Sequence, residues 1–203
     1  MAITREDIAR AIEPLRPDIA EALADRKTSG IERVECPALS RYRLYEVTVF
    51  APHAPIVHYL AYAEGGPPFV LSEDPAAFAA MAAADGGVEI KTPEAAAAYA
   101  EVFLKVTRPL SRLSYLVTAL ADVSFRPGLE PDEVAARKSF ERKYRAVIKP
   151  PAGRKTKDGF EVTAYRVTEQ SLERVTVQVT PAGAVAMDAE VLEQDLPLVI
   201  GGA

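Results

Sequence analysis

From Phe160 onward the chain alternates strand-like runs with connections too short for anything but a hairpin. Phe160 to Val167, Leu172 to Thr180 and Val185 to Leu192 are rich in valine, threonine and aromatic residues, and only a few residues separate each from the next. Parallel strands need a crossover of about a dozen residues or more, so these runs commit to an antiparallel meander. The same spacing recurs near the front, where Tyr42 to Phe50 and Ile56 to Ala63 flank Pro52-His53-Ala54-Pro55. In the later set Val175, Val177 and Val179 alternate with Thr176, Gln178 and Thr180, the pattern of a sheet with one wet face. The fold class that follows is α+β, mainly antiparallel sheet with packed helices.

The two strand-rich regions echo one another. Tyr45-Glu46-Val47-Thr48 opens one and Phe160-Glu161-Val162-Thr163 the other, each followed by a second strand-like run, a glycine-containing turn and a third run. The echo predicts two helix-plus-three-strand units. This element order resembles the cystatin-like and NTF2-like α+β layouts, in which a curved antiparallel sheet wraps a helix. The likeness is one of layout, carried by no motif residue, and it implies no activity.

Helix starts are legible as caps. Thr4 with Asp7, Asp74-Pro75, Thr92-Pro93 and Pro131 each precede a helical run. Ile8, Ile12, Leu15, Ile19 and Leu23 recur at helical spacing, with Pro14 and Pro17 kinking or dividing that run. Leu113 to Phe125 reads as a long, bent strand, and Pro131 to Val147 as a helix that Lys149-Pro150-Pro151-Ala152-Gly153 stops. Residues 1–126 then form an N-terminal α+β part and 127–203 a C-terminal helix plus three-stranded meander, either as separate domains or fused in one.

Composition excludes several classes. A single cysteine permits neither an internal disulfide nor a cysteine-based metal motif, no apolar run is long enough to cross a bilayer, and the N-terminus has no signal-peptide core. A net charge of −5 provides no global attraction to nucleic acid or acidic membranes. The expected protein is cytoplasmic, without membrane contact, and its alanine and arginine usage suggests a bacterial source. Its oligomeric state is not encoded in any pattern.

The strongest local deviation is electrostatic. Between Arg137 and Lys157 nine basic residues face one acid, Glu141, a balance of +8, whereas Asp158 onward carries −6. Lys138, Arg142 and Arg145 share one helical face, which Lys149 continues if the helix persists that far, and Arg142, Lys143, Lys149, Arg154 and Lys155 are the candidate residues for an anionic or acidic partner. The competing reading pairs these charges with the acidic meander, through Glu161, Glu173, Glu190 or Glu193. Phe140 and Tyr144, one helical turn apart, read as core together with Val134 and Val147, packing the helix on Val175, Val177 and Val179. Exposed rings among the cations would instead serve base stacking.

No catalytic constellation emerges. His53 and His58 are the only histidines, and a role as general base or metal ligand would need Glu46 or Tyr62 beside His58. Cys36 reads as a small apolar filler at a strand end. The leading expectation is therefore a non-enzymatic bacterial cytosolic protein-binding or adaptor protein without cofactor or metal. The alternatives are an anion- or nucleic-acid-binding protein acting through residues 137–157, with nucleic acid the less favoured ligand, and a small-molecule enzyme with a pocket in a curved sheet.

Overall fold

Side-chain caps set the helix starts. In the computed structural model, which describes residues 3–52 and 54–199, Thr4 Oγ1 accepts from the Asp7 amide at 3.2 Å while the Asp7 carboxylate accepts from the Thr4 amide at 3.0 Å. This reciprocal cap opens α1 (Arg5–Ile12), and Pro14 and Pro17 separate it from α2 (Pro17–Ala24). Leu15 falls in the connection and is exposed, so it drops out of the apolar stripe. The Asp74 carboxylate accepts from the Ala77 amide at 2.9 Å to start α3 (Pro75–Asp85), and Thr92 Oγ1 accepts from the Ala95 amide at 3.1 Å to start α4 (Pro93–Val106). At α5 (Pro131–Tyr144) the Glu133 carboxylate accepts from the Glu130 amide at 2.9 Å.

All strand pairing is antiparallel, as the short connections require. Strands β1 (Ser29–Val34), β2 (Arg43–Val49), β3 (Ile56–Tyr62) and β4 (Phe69–Val70) form a four-stranded sheet in sequence order. Strands β5 (Ser114–Val117), β6 (Ala152–Lys155), β7 (Phe160–Thr168), β8 (Ser171–Val179) and β9 (Val185–Glu193) form the second sheet, ordered β5-β7-β8-β9, with β6 on the edge of β7 that β5 also uses. The fold is thus α+β and antiparallel. The chain packs as two compact units: Met1–Glu89, Val106–Leu110 and Ala182–Ala184 in the first, Ile90–Lys105, Ser111–Pro181 and Val185–Ala203 in the second.

In the first unit α1 and α2 place Ile8, Ile12, Ile19 and Leu23 on Val47 and Leu60, with Tyr45, Val49 and Tyr62 at the margin. Each such aliphatic side chain contributes roughly 1.5–3 kcal/mol on full burial. Polar groups complete the join. Arg5 donates from Nε to the Leu23 carbonyl at 2.5 Å, at the end of α2, and from its terminal nitrogen to the carbonyls of Asp25 and of Ser29 in β1, tying α1 to both elements. Asp85, buried at the end of α3, accepts from the amides of Ser40, Arg41 and Tyr42 at 2.7–3.0 Å and from Ser40 Oγ at 2.9 Å. Burial opposes its ionisation, but these four donors outweigh that and hold its carboxyl below the ordinary range.

In the second unit the β7–β8 register places Phe160 opposite Val179, Val162 opposite Val177 and Ala164 opposite Val175, all buried on one face. Gly153 of β6 belongs to that face and lies so close to Pro93 that an added Cβ would collide with the backbone at the start of α4. Val167 and Leu172 point the other way, joining Val117, Phe140, Tyr144, Ile148, Leu196 and Leu198 in the core under α5. So Phe140, Tyr144, Val175, Val177 and Val179 are all buried as the sequence predicts, but α5 covers the opposite face from those three valines. The stripe of α5 is also completed by Ile148, whereas Val134 and Val147 are exposed at 36% and 37%.

Three further expectations change. The run 113–125 contains only the four-residue β5, because the Asp122 carboxylate accepts from the Thr118 and Ala119 amides and folds the chain into a short 3-10 turn over Leu120–Asp122. Arg154 and Lys155, which fall outside every strand-like run of the sequence, stand in β6. The echo, finally, is out of register. Tyr45 and Val47 face α1 and α2, but their counterparts Phe160 and Val162 face away from α5. What recurs is the order of elements: helix, then a four-stranded meander, β1–β4 in one unit and β6–β9 in the other.

Candidate functional site

The outer side of α5 is built by what its inner side needs. Phe140, Tyr144 and Ile148 form a narrow buried stripe, the first two with ring centroids 4.8 Å apart and Phe125 against Phe140 at 5.6 Å. Tyr144 fastens the helix to β9, its hydroxyl 2.8 Å from the Leu192 carbonyl and 2.9 Å from Glu193 Oε2. Burial pushes the Tyr144 phenol up, so the hydroxyl keeps the proton it donates. With this stripe inward, Lys138, Arg142 and the cap residue Arg145 occupy the opposite, exposed side, and Lys149 is exposed in the irregular segment that follows the helix.

Cross-strand register settles which charges are consumed. Arg154 stands opposite Glu161 and pairs with it at 2.7 Å, Gln178 donating to the second oxygen at 3.0 Å. Lys143 reaches Glu193 at 2.7 Å, Arg137 reaches Glu141 at 2.7 Å, and within the meander Arg166 holds Glu173 at 2.6 Å and Arg174 holds Glu190. The hydrogen bond from Lys143 holds the Glu193 carboxyl below its usual range, and that carboxylate in turn raises the lysine. The four meander glutamates are thereby satisfied. Lys138, Arg142, Arg145, Lys149, Lys155 and Lys157 are exposed and make no ion pair among the described residues.

The five candidate residues therefore do not act as one set. Arg142 lies on the outer side of α5, and Lys149 is exposed beyond the end of that helix. Lys143 leans from the flank of α5 toward β9. Arg154 shares the sheet face of Glu161, and Lys155, opposite Phe160, takes the other face. Lys138 and Arg145, which the helical spacing places beside Arg142, belong with it and Lys149.

The histidine constellation is divided by the sheet. His58 stands opposite Val47 and Glu46 opposite Tyr59, so His58 and Glu46 lie on opposite faces. Tyr62 shares the face of His58, which is covered by the α1–α2 core. His58 is 7% exposed, its Nδ1 has no hydrogen-bond partner among the described residues, and burial with the nearby Arg16 guanidinium lowers its pKa. His53 lies outside the described residues. Burial drives the Cys36 thiol up to about 11, which removes the thiolate that nucleophilic chemistry requires. Among the described residues no cluster of three or more His, Cys, Asp or Glu side chains is placed to hold a metal ion, and no helix is long and apolar enough to cross a membrane. Comparison with protein-family models, curated proteins and solved structures finds no match.

Proposed function

We propose that the protein is a non-enzymatic binding or adaptor protein that docks an acidic protein surface on the outer side of α5, through Lys138, Arg142, Arg145 and Lys149. One observation carries this reading: among the described residues these cations make no ion pair, although the four glutamates of the neighbouring meander, Glu161, Glu173, Glu190 and Glu193, are held by other partners. Like charges at i,i+3 and i,i+4 each cost a helix about 0.2–0.5 kcal/mol.

A protein partner is favoured over nucleic acid because Phe140 and Tyr144, the rings within the basic helix, are buried and offer no stacking platform. The single cysteine, with its thiol held protonated, suits the reducing cytoplasm of a bacterial cell. Two probes test the reading, polyglutamate and a DNA duplex, each titrated against salt. Binding of polyglutamate that Arg142→Glu with Lys149→Glu weakens at least tenfold supports it. Tighter binding of the duplex, with affinity falling steeply as salt rises, would transfer the site to phosphate recognition. Binding unchanged by the double reversal rejects the surface.

A further inference from the structure

Strand β9 ends the second sheet. It pairs with β8 alone, and along Val185–Glu193 its outer edge makes no backbone hydrogen bond among the described residues. Folded proteins blunt such edges with charged side chains, lysine above all, with proline, with shortness or with a bulge, and β9 carries the acids Asp188, Glu190 and Glu193. At nine residues β9 is long for an edge, it contains neither lysine nor proline, and its one irregularity lies at the far end, opposite Leu172/Glu173.

Its side chains are patterned as well. Met187 and Ala189 stand opposite Val177 and Val175 and continue that apolar face outward, followed by Val191. Met187 and Val191 are exposed at 41% and 45%. Asp188 and Glu190 stand opposite Thr176 and Arg174 on the other face, and Asp188 has no ion pair among the described residues.

We propose that the outer edge of β9 is a strand-addition site for an extended segment of a partner protein that alternates apolar and basic residues. Main-chain hydrogen bonds to the free edge supply the affinity, and alternate side chains supply the selectivity. Basic side chains two residues apart fall beside Asp188 and Glu190, and apolar ones between and around them fall beside Met187, Ala189 and Val191. A second copy of β9 is the poorer occupant. Antiparallel self-pairing centred on Ala189 sets Asp188 against Glu190, and like charges directly opposite destabilise a strand pair.

The test uses the full chain and a fluorescent nonapeptide alternating valine and lysine. Two N-methylated versions accompany it, each blocking the amides of one edge only. The expected result is saturable binding that one methylated version abolishes and the other retains, with new hydrogen-exchange protection confined to β8 and β9. Asp188→Lys, at an exposed and unpaired position, weakens that binding about fivefold. No saturation at millimolar peptide, equal binding of both methylated versions, or full affinity in Asp188→Lys each overturns the proposal. Concentration-dependent self-association that protects β9 without peptide would do the same and assign the edge to a second copy.

Discussion

The two units use charge in opposite ways. In the first, Arg5 spends its donors on carbonyls of its own unit and Asp85 gathers three amides and a hydroxyl, so both charges are absorbed into joining helix to strand. In the second, ion pairs such as Arg154–Glu161 and Arg174–Glu190 lie on the surface, and Arg142 and Lys149 are exposed and make no ion pair among the described residues. The difference teaches where to look for recognition. A charge that organises its own backbone is not available to a ligand, whereas one that folding leaves idle is.

The largest effect expected from this contrast is at Asp85. Asp85→Ala strands four donors in a buried site and should cost about 4 kcal/mol in denaturant unfolding. A loss below about 1 kcal/mol would show that the first unit does not depend on its internal charge. Phe140→Ala removes the centre of the only buried stripe of α5 and should cost about 3 kcal/mol. An additional result sharpens the comparison: this variant should also release the outer cations from their fixed geometry and weaken polyglutamate binding.

A smaller effect belongs to His58. Its folded pKa lies below the unfolded value of about 6.5, so the unfolded chain takes up the proton first as pH falls. Stability contributed by the neutral imidazole is complete above that value and declines as pH drops from about 6.5 toward the folded pKa. Melting temperatures measured between pH 7.5 and 5.5 should therefore fall in the native protein and fall less in His58→Leu. Equal slopes would place His58 in contact with water.

The smallest effects concern the surface charges. Arg154→Glu faces Glu161 with a like charge and should cost less than about 1 kcal/mol, since the pair is exposed. Arg142→Glu with Lys149→Glu should leave the melting temperature nearly unchanged, because both side chains are exposed and make no ion pair among the described residues. A clear destabilisation by the second pair would mean that these cations serve the fold, and the contrast between the units would close.

How much of this was legible in the chain depends on the range of the interaction concerned. Caps act within one helical turn, so Thr4, Asp74, Thr92 and Pro131 announced their helices correctly. The meander was equally clear, because alternation and short turns are local. Strand β6 was not, since Ala152-Gly153-Arg154-Lys155 has little β-propensity and becomes a strand only by pairing with β7. The faces were harder still. Alternation marked Val175, Val177 and Val179 as buried but could not say which helix covers them, and the proximity of His58 and Glu46 in sequence concealed that a sheet lies between them. For the basic segment, composition displayed the cations, and strand register, helical spacing and the docking of α5 on β9 decided which were neutralised.

The β6–β7 hairpin has a consequence for tracing descent. Gly153 abuts the backbone of Pro93, and Gly159, at φ 148°, abuts the Val179 carbonyl, so neither position accepts a side chain. Between them run Arg154, Lys155 and Lys157. Substitution can reshape the valine-rich strands freely as long as apolar volume is kept, but these two glycines are fixed by main-chain collision. A distant cousin whose core has drifted beyond recognition should still bear two glycines six residues apart behind a proline-opened helix, and that spacing is the signature by which the lineage can be found.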